Sequence, residues 1–439
     1  MIRIKKHFRS IQSALPYRKA AQQQPKAPID TPYGDKGHGH FTKNAPDTLG
    51  AATSVLRSKV RPDRFYVTGH KADPGGLHRV FIACLDASGK LDTTFNGSGM
   101  VDFNKGSGGF YLNAHAVAED MSGNLLVTVE PHGETTTHLW KLTAEGEADP
   151  SFGKGKGYID SRALFDVDLL LERLACHQNG LVATAVRSEA EGFKAVVVAL
   201  DAHGAKDHGF GEDGLLALST LIPESSSHAL DGIAVISPAA GVQRIVISTT
   251  LRRGPDWYAV TSGLSLAGVL DDAFGERGHH WSDAWIINNG FSIEDSSKRI
   301  TLYGQLYSED DDSGQPTIYR LDYEGRPALE FNQGQVVRFH IDGGWGHIEE
   351  AEGGLIGYGS FYTFNMAVRY HSSGQLDTRF VPPYGYGQFG ALLGEFGFVS
   401  HTDSMAIDTD NQRMLVSGQD VQQGYRIPCL LALSLKPVQ

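Results

Sequence analysis

Histidine and carboxylate side chains that could hold a metal or move a proton recur in one setting, short stretches that lead into apolar runs. They are His115, His228 with Asp231, Asp283 with Trp285, Trp345 with His347, and His401 with Asp403. If these distant stretches converge, imidazoles and carboxylates together make a divalent-metal site or an acid–base pair. If they do not converge, they are solvated loop residues. No local spacing fixes their geometry, so the decision falls to the elements that carry them.

Other clusters carry less. The pairs His38/His40 and His279/His280, the latter followed by Trp281, come after the same motif glycine in two separate repeats. Alternation along a strand puts His38 and His40 on one face, but two ligands make a poor metal site. The acidic run Ser308 to Gly314, with Asp310, Asp311 and Asp312, offers oxygen ligands to calcium, yet lacks the alternation and terminal glutamate of an EF-hand loop. A solvated hairpin tip is the other reading. No cofactor is therefore called for, although a divalent cation has places to bind. Aromatics at hairpin tips, Trp257, Tyr258, Tyr307, Phe361 and Tyr362, would stack on sugars or pack between structural units.

The sequence contains no GxSxG, HExxH or P-loop pattern, and no GxGxxG between a strand and a helix, so the common hydrolase, NTPase and dinucleotide readings lack support. Net charge is -12, and the body is more acidic still beyond residue 28, which argues against a nucleic-acid partner. No apolar run is long enough for a membrane span. Cys84, Cys176 and Cys429 are too scattered for a metal knuckle and allow one disulfide at most. Cys84 and Cys429 sit in apolar runs and read as buried, inert thiols.

What positions these residues is a repeat. The stretches LDASGKLDTTFNGSG from Leu85, LTAEGEADPSFGKGKG from Leu142, LDAHGAKDHGFGEDG from Leu200 and LSLAGVLDDAFGERG from Leu264 are copies of one motif, followed by weaker copies from Leu321 and Tyr370. Their anchor aromatics are Phe95, Phe152, Phe210, Phe274, Phe331 and Phe380, spaced by 57, 58, 64, 57 and 49 residues. That period suits a four-stranded propeller blade. A second element alternates with the first: RFYVTG, GNLLVTV, GLVATAV, RIVIST, RITLYG, GGLIGYG and RMLVSG, each an apolar strand after a turn.

The two ends of the chain share one further copy. Ile29 to Gly37 matches the second half of the motif with Tyr33 as anchor, while the segment from Leu433 matches the first half. A split repeat makes sense when the ends lie side by side and close a ring, leaving no open sheet edge. The expected fold is all-β: a seven-bladed propeller over residues 29–439, with residues 29–41 completing the last blade. Residues 1–28 read as a basic, flexible leader. It has seven Lys and Arg residues before Asp30, and no apolar stretch follows them as a standard signal peptide requires. The compartment stays open between cytoplasm and non-classical export, and a monomer is expected.

Within the motif, Asp30, Asp92, Asp149, Asp207, Asp271 and Asp377 are expected to cap turns by accepting backbone N–H bonds, with Ala328 in the fifth internal copy. The aromatic should plug the gap between blades. The residue after it, Gly34, Asn96, Gly153, Gly211, Gly275 or Asn332, should be left-handed. These aspartates read as structural.

The whole pattern, a strand, xDxxGxLDxxFGxxG, a turn and DGxxLVxG, resembles the delta-60 repeat, a bacterial β-propeller repeat. The resemblance implies a propeller and carries over no catalytic residue. With seven structural repeats and no catalytic signature, the expectation is a non-enzymatic binding module that presents loops to a protein or glycan. The alternative is a hydrolase- or lyase-type enzyme with a His/Asp site at the channel mouth.

Overall fold

The computed structural model describes residues 25–40, 49–72, 78–103, 111–189, 192–223, 225, 227–283, 285–308, 311–361, 364–391, 397–399, 404–422 and 425–436. Its strands form seven small antiparallel sheets arranged as the blades of a propeller. Each blade is a meander. Blade 3 is representative: Leu169–His177, Gly180–Glu189, Gly192–Asp201 and Leu215–Ala217 pair in chain order.

The first strand of each blade is innermost. These strands are Leu49–Arg57, Tyr111–Glu119, Leu169–His177, Ser227–Ala239, Ile286–Glu294, Gly344–Ala351 and Met405–Asp408, and each contacts the next around the ring until Met405–Asp408 meets Leu49–Arg57. Apolar side chains of the middle strands face the neighbouring blades. One core cluster, for example, joins Tyr66, Val80, Ile82 and Phe95 of blade 1 to Leu125, Val127 and Leu142 of blade 2.

The ring closes through the N-terminal segment. His38–His40 is the outer strand of blade 7, pairing with Tyr425–Ser434 in the register His38 to Leu431 and His40 to Cys429. Asp30 N donates to Ala432 O at 2.9 Å, and Ser434 N donates to Pro28 O at 2.8 Å. The same segment also reaches blade 6: Ala27 N donates to Gln388 O at 2.8 Å, and Gln388 N to Pro25 O at 2.6 Å. A side chain on Gly387 would meet the Ala27 backbone at 2.6 Å, which explains the glycine there. The leader expected over residues 1–28 is therefore docked from Pro25 onward, because those backbone groups find partners on an otherwise open edge. Residues 1–24 and Phe41 lie outside the described residues.

The repeated motif is the joint between blades. Tyr33, Phe95, Phe152, Phe210 and Phe274 are wholly buried, and Phe331 and Phe380 nearly so. Each of the first six packs beneath the turn glycine of the following blade, as Phe210 does beneath Gly268 and Phe274 beneath Gly325. The left-handed residue after the aromatic donates its N–H to the same neighbouring turn: Gly153 to His203 O at 2.9 Å, Gly211 to Ala267 O at 3.0 Å, Gly275 to Glu324 O at 2.7 Å. Asp92, Asp149, Asp207, Asp271 and Asp377 accept from the backbone two residues on, as Asp149 Oδ1 does from Ser151 N at 2.8 Å, whereas Asp30 has Pro32 at that place, which has no N–H to give. In Asp30, Asp92, Asp149, Asp271 and Asp377 a carboxylate oxygen also meets a cation, as in Arg64–Asp92 at 2.8 Å and Arg244–Asp271 at 2.7 Å. Where Ala328 replaces the aspartate, Arg299 pairs with Glu330 instead.

Candidate functional site

Six innermost strands carry a β-bulge at the same level. The pairing slips at Thr53, at His115 and Ala116, at Glu172, at Asp231, at Asn289 and at Gly346. A bulge sets two residues against one, frees a backbone N–H and turns a side chain out of the ladder. Hydroxyls on the second strand satisfy some of the freed groups: Thr128 Oγ1 accepts from Ala116 N at 2.9 Å and Thr184 Oγ1 from Arg173 N at 3.1 Å. These are the threonines of the recurring LLVTV and LVATAV elements, buried where an aliphatic residue would be expected.

Four of the bulges, in blades 2 to 5, line one cavity of about 320 Å³ on the ring axis. Its walls are His115, Glu172, Arg173, Leu230, Asp231, Asn288 and Asn289. His115 Nε2 lies 2.9 Å from Glu130 Oε2. Asp231 Oδ2 accepts from Thr250 Oγ1 at 2.8 Å, and Thr250 Oγ1 in turn accepts from Asn288 N at 3.1 Å, linking blades 4 and 5. Asn289 Nδ2 donates to Trp345 O at 2.8 Å in blade 6. Asn288 is 2% exposed, its Nδ2 bonds Ser248 Oγ at 2.7 Å, and its Oδ1 is buried without a partner.

Burial acts against ionisation of the carboxyls here. Burial pushes Asp231 well above the usual carboxylate range, the Thr250 hydroxyl and Arg173 offset this in part, and Glu172 adds to the rise. Burial also raises Glu172, against the opposing charges of Arg173 and His115. The cavity thus combines groups able to donate a proton or hydrogen bond with one strong cation.

His115 and Asp231, named from sequence, meet in this cavity. Glu172, Arg173, Asn288 and Asn289 were not named. The other candidates scatter. Trp345 is a correction: it is 1% exposed, packed against Phe339 and Phe361 at 5.2 and 5.4 Å, because a large apolar ring next to a bulge fills the blade interior. Phe361 is likewise buried core. His347 Nδ1 lies 3.2 Å from Tyr303 OH, and its other ring nitrogen is 3.9 Å from Glu349. Asp283 is exposed in the loop before Trp285, whose N–H donates to Trp257 O at 2.6 Å. His401, Asp403, Asp310 and Tyr362 lie outside the described residues, as do the side chains of His228, Asp311 and Asp312.

The histidine pairs stay apart, on the outer strands of blades 4 and 7. His279 Nδ1 is bonded to Ser262 Oγ at 2.7 Å, and burial lowers His280 to about 4. All three cysteines are free; burial raises Cys84 and Cys176 to about 12 and pushes Cys429 well above the ordinary thiol range. Among the described residues no group of three or more His, Cys, Asp or Glu side chains is arranged to hold a metal ion, and no helix is long and apolar enough to cross a membrane.

No protein-family model matches this chain, and no curated protein matches it in sequence. Among solved structures, one from a study of two prolyl endopeptidases superposes with a TM-score of 0.50 at 13% identity, covering 97% of this chain. Pyrococcus horikoshii acylaminoacyl peptidase gives 0.44 at 11% identity over 89%. This chain spans about half, 52%, of each of those chains. Similarity at such identities shows the fold alone.

Proposed function

We propose that this chain, built from repeats of the delta-60 type, is a non-enzymatic binding module. A rigid disc holds a polar group of a protein or glycan partner in the axial cavity, and the surrounding loops contact the rest of the partner. The observation that carries this reading is the cavity itself, whose charged and amide groups come from four consecutive blades and sit on strands locked into the ring. Among the described residues its walls offer hydrogen-bond donors, acceptors and one cation.

A second reading has one specific support. Glu172 and Asp231 are both held toward the protonated form beside one cavity, the state a hydrolase or lyase gives its general acid. One experiment separates the two. The full chain is applied to peptide and glycan arrays and to a panel of chromogenic esters, peptides and glycosides, beside Asp231→Asn. Saturable binding lost in the variant, without turnover, supports the binding module. Turnover that Asp231→Asn abolishes overturns it in favour of the enzyme.

A further inference from the structure

In the axial cavity opposite charges lie close without meeting. Among the described residues, neither the Glu172 carboxylate nor the Arg173 guanidinium makes a hydrogen bond or an ion pair, and Asp231 is held by the Thr250 hydroxyl alone. Glu172 and Asp231 both feel the field of Arg173, so the three are neighbours around one space rather than strangers on a surface. Beside them the Asn288 Oδ1 atom is a buried acceptor lacking a donor. A folded chain that leaves a cation and two carboxyls facing a shared void forgoes several favourable contacts. A ligand carrying both charges restores them.

We propose that the cavity binds a small zwitterion, an ammonium group and a carboxylate carried on one short carbon skeleton as in a free α-amino acid. The carboxylate pairs with Arg173, whose planar fork suits it. The ammonium sits between Glu172 and Asp231, where its positive charge opposes the effect of burial on both carboxyls and draws them to the ionised, accepting form. The remainder of the ligand faces Leu230, Asn289 and His115. A neutral sugar would hydrogen-bond the same walls but leave the guanidinium without a counter-charge. The volume of about 320 Å³ accommodates a molecule of amino-acid size.

This assignment rests on the reading of the cavity as a binding site, and the test keeps the two apart. The full chain is titrated calorimetrically with each of the common free amino acids, with the amine and the carboxylic acid that lack one charged group of the same skeleton, and with neutral methyl glycosides. The expected result is saturable binding of at least one amino acid, with its amine and acid analogues at least about tenfold weaker. Arg173→Gln and Asp231→Asn should each weaken it by a similar factor while the thermal unfolding of the variant stays cooperative. Because either variant could disturb the bulge, the analogue series on the unmodified chain stands as an independent arm. Binding of methyl glycosides but of no amino acid would overturn the zwitterion and leave the binding module standing. Binding of none of these ligands would overturn the zwitterion, while the array experiment decides separately on the module.

Discussion

Asn288 spends its amide N–H on Ser248 Oγ, 2.7 Å away within the blade interface, and this contact leaves its Oδ1 as a buried acceptor beside the axial cavity. Asn288→Ala removes the bond to Ser248, the long 3.5 Å bond to Tyr319 OH and one unsatisfied atom together. The free protein should therefore change by less than about 1 kcal/mol in urea unfolding, whereas affinity for a cavity ligand should fall about tenfold.

Closure of the ring rests on Arg413. It is 5% exposed, stacks over Tyr33 at 4.6 Å, and bridges Asp408 at 2.7 Å and Asp30 at 3.3 Å across the chain ends. Arg413→Met strands the buried Asp408 carboxylate and should cost about 3 kcal/mol. Arg61→Met, which breaks an exposed pair with Glu145, should cost less than about 1 kcal/mol. Chemical denaturation of both variants provides the comparison.

The packing between blades can be tested with two glycines of similar backbone. Gly268 has φ 76° and a Cβ there would lie 2.9 Å from the Phe210 ring, whereas Gly241 has φ 74° and nothing within 4 Å. Alanine at either position carries the left-handed strain. Only Gly268→Ala must also displace the anchor aromatic, and its melting should fall further, by an excess of about 1–3 kcal/mol.

Where the inner strands finish, Glu349 gives a pH dependence. Burial and the nearby Glu294 raise it to about 7, against Lys59 and Arg57, with His347 at 3.9 Å. The folded state holds this proton more tightly than the unfolded chain, so the stabilisation is full below the ordinary glutamate range and is lost as pH rises through about 7. Because the side chain is 39% exposed, Glu349→Gln should gain only about 1 kcal/mol over the parent at pH 8. At pH 4 the two should match. Thermal unfolding at both values measures the difference.

The ring was legible in the sequence because each joint is local. An aspartate, an aromatic and a left-handed glycine or asparagine within a few residues repeat at every blade, and the split copy at the ends announced the closure. The cavity was legible in part. His115 and Asp231 stood out as polar residues ahead of apolar runs, but Glu172, Arg173 and Asn289 are brought to the axis at bulges, with Asn288 buried beside one, and a bulge exists only in the pairing of two strands. One trace of it was present: the hydroxyls of Thr68, Thr128, Thr184, Ser248 and Ser417 interrupt apolar second strands yet are fully buried. Trp345 also precedes an apolar run, but its ring lies in the blade core, packed against Phe339 and Phe361.

The central claim is that the axial cavity binds a ligand and returns it unchanged. The most direct test is calorimetric titration of the full chain with the best ligand from the arrays, followed by mass analysis of that ligand after prolonged incubation, with Asp231→Asn in parallel. Saturable one-to-one binding in the parent, its loss in the variant and a ligand of unaltered mass are expected. A ligand converted by the parent but not by Asp231→Asn would contradict it and make the cavity an active site.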